Sequence, residues 1–139
     1  MVWSQLNAVC ERLAKENKHP RWLIKHLGGN DLASTHLQNL ISMIQKNVKA
    51  YSNLFPETCI IWSDILPRAV YRGARSNAKV DKASVGCMPQ INGEVIHHKN
   101  FQWDAHHLYR RDGVHLNDMG NDVMLGNIRQ AMVRIISSQ

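Results

Sequence analysis

The chain has 139 residues, 44% of them hydrophobic, and a formal net charge of +6 from 17 Lys and Arg against 11 Asp and Glu. This length suits one domain with a real core, the recurring apolar periodicity excludes a disordered tail, and no apolar run is long enough to cross a bilayer. The positive balance favours acidic partners but does not bear on the fold.

Cys10, Cys59 and Cys87 stand at unrelated spacings with no C-x-x-C pair, so they read as reduced thiols, and neither a metal nor a cofactor is expected. The opening MVWSQLNAVCERLAKENK lacks the basic region, apolar core and small-residue cleavage site of a secretory signal. A soluble, intracellular and cytoplasmic chain is the expectation.

Val2, Leu6, Val9 and Leu13 recur at helical spacing and predict a first helix ending near Asn17. The segment RWLIKHL reads as a buried strand stopped by Gly28 and Gly29. A second helix carries Leu37, Leu40, Ile41, Ile44 and Val48 on its inner face, and Thr35 with Gln38 fits a capping box at its start. TCIIW is a second strand, and Pro67 is placed for the first turn of a helix running to about Ser84, closed by Gly86 and Pro89.

GEVIHH predicts a third strand, and the stretch from His98 to Leu116 has no clean period and reads as a long loop of the kind that carries function. Asn117 can cap a last helix with an apolar stripe of Met124, Leu125, Ile128, Met132, Ile135 and Ile136. Strands alternating with helices imply a parallel sheet covered on both faces, so the fold class is a small three-layer α/β sandwich. Ligands of such sheets bind beyond the carboxyl ends of the strands, where Gly28–Asp31 and Ser63–Asp64 fall.

Two motifs there carry chemistry. In GGND, Gly28 and Gly29 allow a tight turn, and Asn30 either offers an amide donor to a developing oxyanion or bonds its own backbone in a left-handed turn. In RRDGVHLNDMG, Asp112 lies three residues before His115, a spacing that lets the carboxylate hold imidazole Nδ1 while Nε2 faces outward as a base.

GGND after a strand and DGVH before the terminal helix, in that order, resemble two of the sequence blocks of the SGNH hydrolases, also called GDSL-type esterases and lipases. The resemblance runs over nearly the whole chain, although Leu116 stands where many members carry proline. It implies a flavodoxin-like fold and acyl transfer on an ester, with Asn30 and the Gly29 backbone as oxyanion donors, His115 as base and Asp112 as its partner. The family's nucleophilic serine lies in a G-D-S block upstream, and this chain has no G-D-S. The expectation is therefore an N-terminally truncated, single SGNH-like domain, inactive or weakly active by itself. Ser63, at the end of a strand, is the one serine positioned to substitute, but it lacks the glycines of a nucleophile elbow.

The resemblance also implies a strand order of 2-1-3-4-5 with only the last three strands supplied here. Residues 22–27 then form an edge guarded by Lys25 and His26 alone, and self-association or a partner strand is expected there. Arg68, Arg72, Arg75, Lys79 and Lys82 fall on one helical face, which is either a solvated surface or a track for phosphates. Because SGNH-like domains occur in mobile-element proteins, a nucleic-acid-associated or protein-interaction role is the alternative. His97, His98, His106 and His107 lack the spacing of a closed zinc site, and Trp62 and Trp103 read as core.

Overall fold

The computed structural model describes residues 3–31, 35–68, 70, 93–102 and 104–138. In chain order these form α1 (Trp3–Lys15), β1 (Trp22–Lys25), α2 (Leu37–Leu54), β2 (Cys59–Ser63), β3 (Glu94–Ile96), a 3₁₀ turn (His106–Leu108) and α3 (Asp118–Ser137). The strands lie in the order β1-β2-β3, all parallel.

Side chains alternate across a strand, so β2 serves both faces of the sheet. Ile60 and Trp62 pack with Cys10 of α1 and Leu40, Ile44, Val48 and Tyr51 of α2. Ile61, on the opposite face, packs with Ile96 of β3 and Ala131 and Ile135 of α3. Helices therefore cover both faces of the sheet, as the alternating sequence pattern requires. Trp62 is 1% exposed, which places it in the core as expected, whereas Trp103 lies outside the described residues.

Several local expectations need correction. His36, not Thr35, stands at the start of α2, and its side chain makes no capping bond. The Thr35 N–H is already spent on the carbonyl of Asp31, at 2.8 Å. Pro67 sits in irregular chain rather than in a helical turn, and residues 71–84 of the helix expected after it, with Gly86 and Pro89 beyond, lie outside the described residues. In α3, Leu125 and Ile136 are 61% and 51% exposed, so the buried stripe is narrower than the apolar pattern suggested. Lys25 is no edge guard. It is 2% exposed, with its ammonium over the Tyr51 ring at 2.8 Å from the centroid.

The expected cap of α3 is found. Asn117 accepts from the Gly120 N–H at 2.9 Å, and its amide donates to the carbonyls of His107 and Tyr109. Gly120 is required at this position because a Cβ would lie 2.1 Å from the Leu108 carbonyl oxygen. The start of α3 is thus locked onto the 3₁₀ turn, and Leu66, Phe101, Leu108 and Tyr109 form a small core beneath the loop between them.

Candidate active site

A cleft of about 300 Å³ opens beyond the carboxyl ends of β1 and β2. Its walls include His26, Gly28, Gly29, Asn30 and Arg68 on one side and Tyr109, Val114 and His115 from the loop before α3. The two motifs thus reach one cavity through Asn30 and His115, which stand 85 residues apart in the sequence.

Gly28 has φ +105°, a region that side chains rarely enter, and a Cβ there would sit 2.8 Å from Ile65 Cδ1. The chain turns at that point, with the Asp31 N–H donating to the Gly28 carbonyl at 3.0 Å. Asn30 is carried out over the cleft by this turn. Its Oδ1 accepts from Arg68 Nη2 at 2.9 Å, so its side chain does more than bond its own backbone.

The loop from Arg110 to Leu116 closes on itself. Arg110 N–H donates to the His115 carbonyl at 2.8 Å, Gly113 N–H to the Arg110 carbonyl at 2.9 Å, and Tyr109 and Leu116 form an antiparallel bridge. Within it, Asp112 Oδ1 accepts from the backbone N–H of Val114 and of His115, at 2.9 and 3.0 Å. Its other oxygen meets His115 Nδ1 at 2.6 Å. The His115 side-chain bond, followed by the two backbone bonds, holds the Asp112 carboxyl well below the usual carboxylate range. The dyad is open to solvent, with the His115 side chain 71% exposed. Such a pairing fixes the proton on Nδ1 and leaves Nε2 as a base.

Ser63 is brought to neither Asn30 nor His115. It is 0% exposed, and its hydroxyl lies 3.0 Å from His26 Nδ1 and 2.7 Å from His98 Nε2. An oxygen so enclosed has no open path to a substrate carbonyl in this arrangement, and among the described residues that line the cleft there is no serine.

Of the five cations placed on one helical face, Arg68 alone is described, and it turns inward to the cleft. Arg72, Arg75, Lys79 and Lys82 lie outside the described residues. The adjacent His97 and His98 point to opposite faces of the sheet: His97 Nδ1 pairs with Asp64 at 2.8 Å, and His98 goes to Ser63. Among the described residues no three His, Cys, Asp or Glu side chains gather to hold a metal.

His26 was missed in the sequence. It follows the last residue of β1 directly, on the same side as Trp22 and Ile24, and the pairing of Lys25 with Trp62 sets it beside Ser63. Only the register between β1 and β2 reveals that neighbour.

Among solved structures the chain is similar to a GDSL-like lipase of Bacteroides thetaiotaomicron, with TM-score 0.62 and 18% identity over 91% of this chain and 69% of that one. It is also similar to a putative acylhydrolase of Bacteroides fragilis, with TM-score 0.67 and 20% identity over 91% of this chain and 68% of that one. The chain shares the α/β fold of these two structures. No family model and no curated protein matches the sequence. At these identities the likeness shows a shared fold alone. No helix among the described residues is long and apolar enough to cross a membrane.

Proposed function

We propose that the cleft is an ester-directed site of the SGNH type, with His115 as base, Asp112 as the group that orients it, and Asn30 with the Gly29 backbone as oxyanion donors. The observation that carries this reading is the opening of Asn30 and the Asp112–His115 dyad onto a single cleft. In acyl transfer His115 Nε2 takes a proton from the attacking oxygen, Asp112 stabilises the imidazolium, and the Asn30 amide donates to the carbonyl oxygen as it gains charge. Because the sequence has no G-D-S block, we take water to supply the attacking oxygen and the site to be catalytically incomplete by itself. An oxyanion hole and binding alone leave about 10³ to 10⁴ over the uncatalysed rate. The outer edge of β1, which pairs with no strand among the described residues, is proposed as a point of self-association.

The test combines two measurements on the folded chain. A fluorophosphonate probe followed by mass spectrometry is expected to label no serine. Labelling of one serine that disappears in His115→Ala would make the chain a competent hydrolase with a nucleophile of its own. Butyrate, the acid half of a simple ester, is expected to shift the NMR signals of the Asn30 amide and the His115 ring together. A folded chain in which neither signal moves at saturating butyrate would end the ester reading.

A further inference from the structure

The outer side of α3 carries an apolar seam turned to solvent. Met119, Leu125, Val133 and Ile136 are 58%, 61%, 59% and 51% exposed. Positions 119, 122, 126, 129, 133 and 136 are spaced alternately by three and four residues, so Met119, Asp122, Gly126, Arg129, Val133 and Ile136 form one line along the helix. That alternation is the spacing with which one helix meets another. The line lies opposite Ala131 and Ile135, the buried residues that hold α3 to the sheet.

Two features of the seam have no role within the chain. A glycine inside a helix is destabilising relative to alanine, yet a Cβ at Gly126 would meet nothing within 4 Å, so internal packing does not require it. Asp122 and Arg129 are both exposed, and no ion pair among the described residues takes up either charge. Asp118 and Arg134 occupy the first and last turns, where the helix dipole favours such charges, but Asp122 and Arg129 lie between those turns.

We propose that this face of α3 docks on the same face of a second copy of the chain, with the two helices antiparallel. Charge decides the orientation. Parallel helices would set Asp122 against Asp122 and Arg129 against Arg129, which is repulsive at both places. In an antiparallel pair overlapping along the whole of Asp118–Ser137, Met119 stands opposite Ile136 of the second copy, Asp122 opposite its Val133 and Gly126 opposite its Arg129. Asp122 is then four residues, or ~6 Å along the axis, from the second copy's Arg129, within reach of that long side chain. The stem of Arg129 crosses the bare backbone at Gly126, and Met119 with Ile136 closes each end of the seam. Each contact occurs twice about a two-fold axis, so the assembly stops at a dimer. Because α3 meets the sheet through its other side, this surface is separate from the outer edge of β1. Two charges and a glycine among six seam positions make the contact weak, with a dissociation constant on the order of 0.1–1 mM.

The test is sedimentation equilibrium at up to about 1 mM in the full chain carrying Ile24→Lys, which suppresses pairing at the β1 edge and leaves α3 untouched. A dimer is expected. Asp122→Arg leaves two arginines in the seam and Arg129→Asp leaves two aspartates, so either substitution is expected to weaken self-association about tenfold or more. Mixed in equal amounts, the two variants are expected to form a heterodimer, because each arginine of one chain then meets an aspartate of the other. The methyl signals of Met119 and Val133 should shift with concentration in the Ile24→Lys chain and in the mixture, and stay fixed in either variant by itself. Circular dichroism checks that each chain is folded, and if Ile24→Lys is not, the same methyl shifts in the unmodified chain decide. Single variants that associate as before, or a mixture that stays monomeric, would overturn the antiparallel pairing. A folded chain that is monomeric at about 1 mM, with unmoved methyl signals, would overturn the proposal and leave this face to a partner other than a second copy.

Discussion

Arg68 Nη2 donates to Asn30 Oδ1 at 2.9 Å, across 38 residues of sequence, and so settles which way the Asn30 amide faces. With its oxygen turned to the guanidinium, the amide can present only its NH₂ to a ligand. An asparagine that acts as an oxyanion donor needs that orientation before the charge develops, because a donor that must first rotate spends part of its gain on ordering. Arg68→Ala is expected to weaken butyrate binding about 3- to 10-fold. Arg68 also carries a charge that a carboxylate would feel directly, and a double-mutant cycle with Asn30→Ala separates the two effects. If Arg68 works through Asn30, the second substitution adds little to the first. Fully additive losses would show instead that Arg68 meets the ligand itself.

The Asp112–His115 pair predicts a second outcome. In Asp112→Asn the side-chain oxygen can still accept from the Val114 and His115 N–H groups, so the loop is expected to persist with stability changed by no more than about 1 kcal/mol. The amide nitrogen would then face His115 Nδ1, which cannot remain protonated against another donor. The ring proton should move to Nε2, and the residual ester hydrolysis that depends on His115 should fall by about tenfold or more. Ring ¹⁵N shifts and hydrolysis rates check this together. An unmoved tautomer would mean that Asp112 does not orient the ring.

What the sequence discloses and what it hides follow from the range of the interactions involved. The turn at GGND and the Asp112 loop are local, because a glycine with positive φ and a carboxylate three residues from its histidine need only their own backbone. The Asn117 cap is legible for the same reason. The capping box at Thr35 and Gln38 fits the same kind of local pattern, but the Thr35 N–H donates to the Asp31 carbonyl instead. Leu125 and Ile136 misled because apolar residues occur all around α3, and periodicity then no longer singles out one buried face. The His26–Ser63–His98 chain depends on strand register and on α3 closing over the sheet, neither of which is written in any short segment. Lys25 looked like an edge guard for a related reason: its alternation along β1 aims it at α1 and α2, and only the packed helices make that side an interior.

That buried lysine gives a prediction with a definite sign. Burial pushes the pKa of Lys25 down to about 7, opposed by the nearby Cys10 thiol, with both residues nearly inaccessible. Below about pH 7 the ammonium is charged in the folded and the unfolded chain alike, and folding bears the full cost of enclosing it. Between about 7 and the ordinary lysine value of 10.5 the folded chain has released a proton that the unfolded chain still holds, so this group makes stability rise with pH. Cys10, raised by burial, acts in the opposite direction once its unfolded form ionises near 9. Urea unfolding between pH 7 and 8.5 therefore isolates the lysine. The slope is expected to be positive, and Lys25→Met should remove it and leave the chain about 1–4 kcal/mol more stable at pH 7. A destabilised variant would show that the ammonium makes a net favourable contact with the Tyr51 ring, and a slope that survives the substitution would show that another group sets it.

The outer edge of β1 yields the last prediction. Among the described residues β1 pairs with β2 alone, which leaves one row of its backbone groups without a strand partner. With Lys25 turned inside and His26 committed to Ser63, no charge on the strand points along that edge, and Ile24 is 36% exposed beside it. Charge, proline or a bulge normally protects such an edge, and none of these occurs between Trp22 and Lys25. Sedimentation at tens of micromolar is expected to show a concentration-dependent dimer or larger species. Ile24→Lys, which sets a charge on the exposed side chain without touching the core, should shift that equilibrium at least tenfold toward monomer. A clean monomer for the unmodified chain would mean that the edge is already covered, and would redirect attention to the exposed Leu125, Val133 and Ile136 of α3.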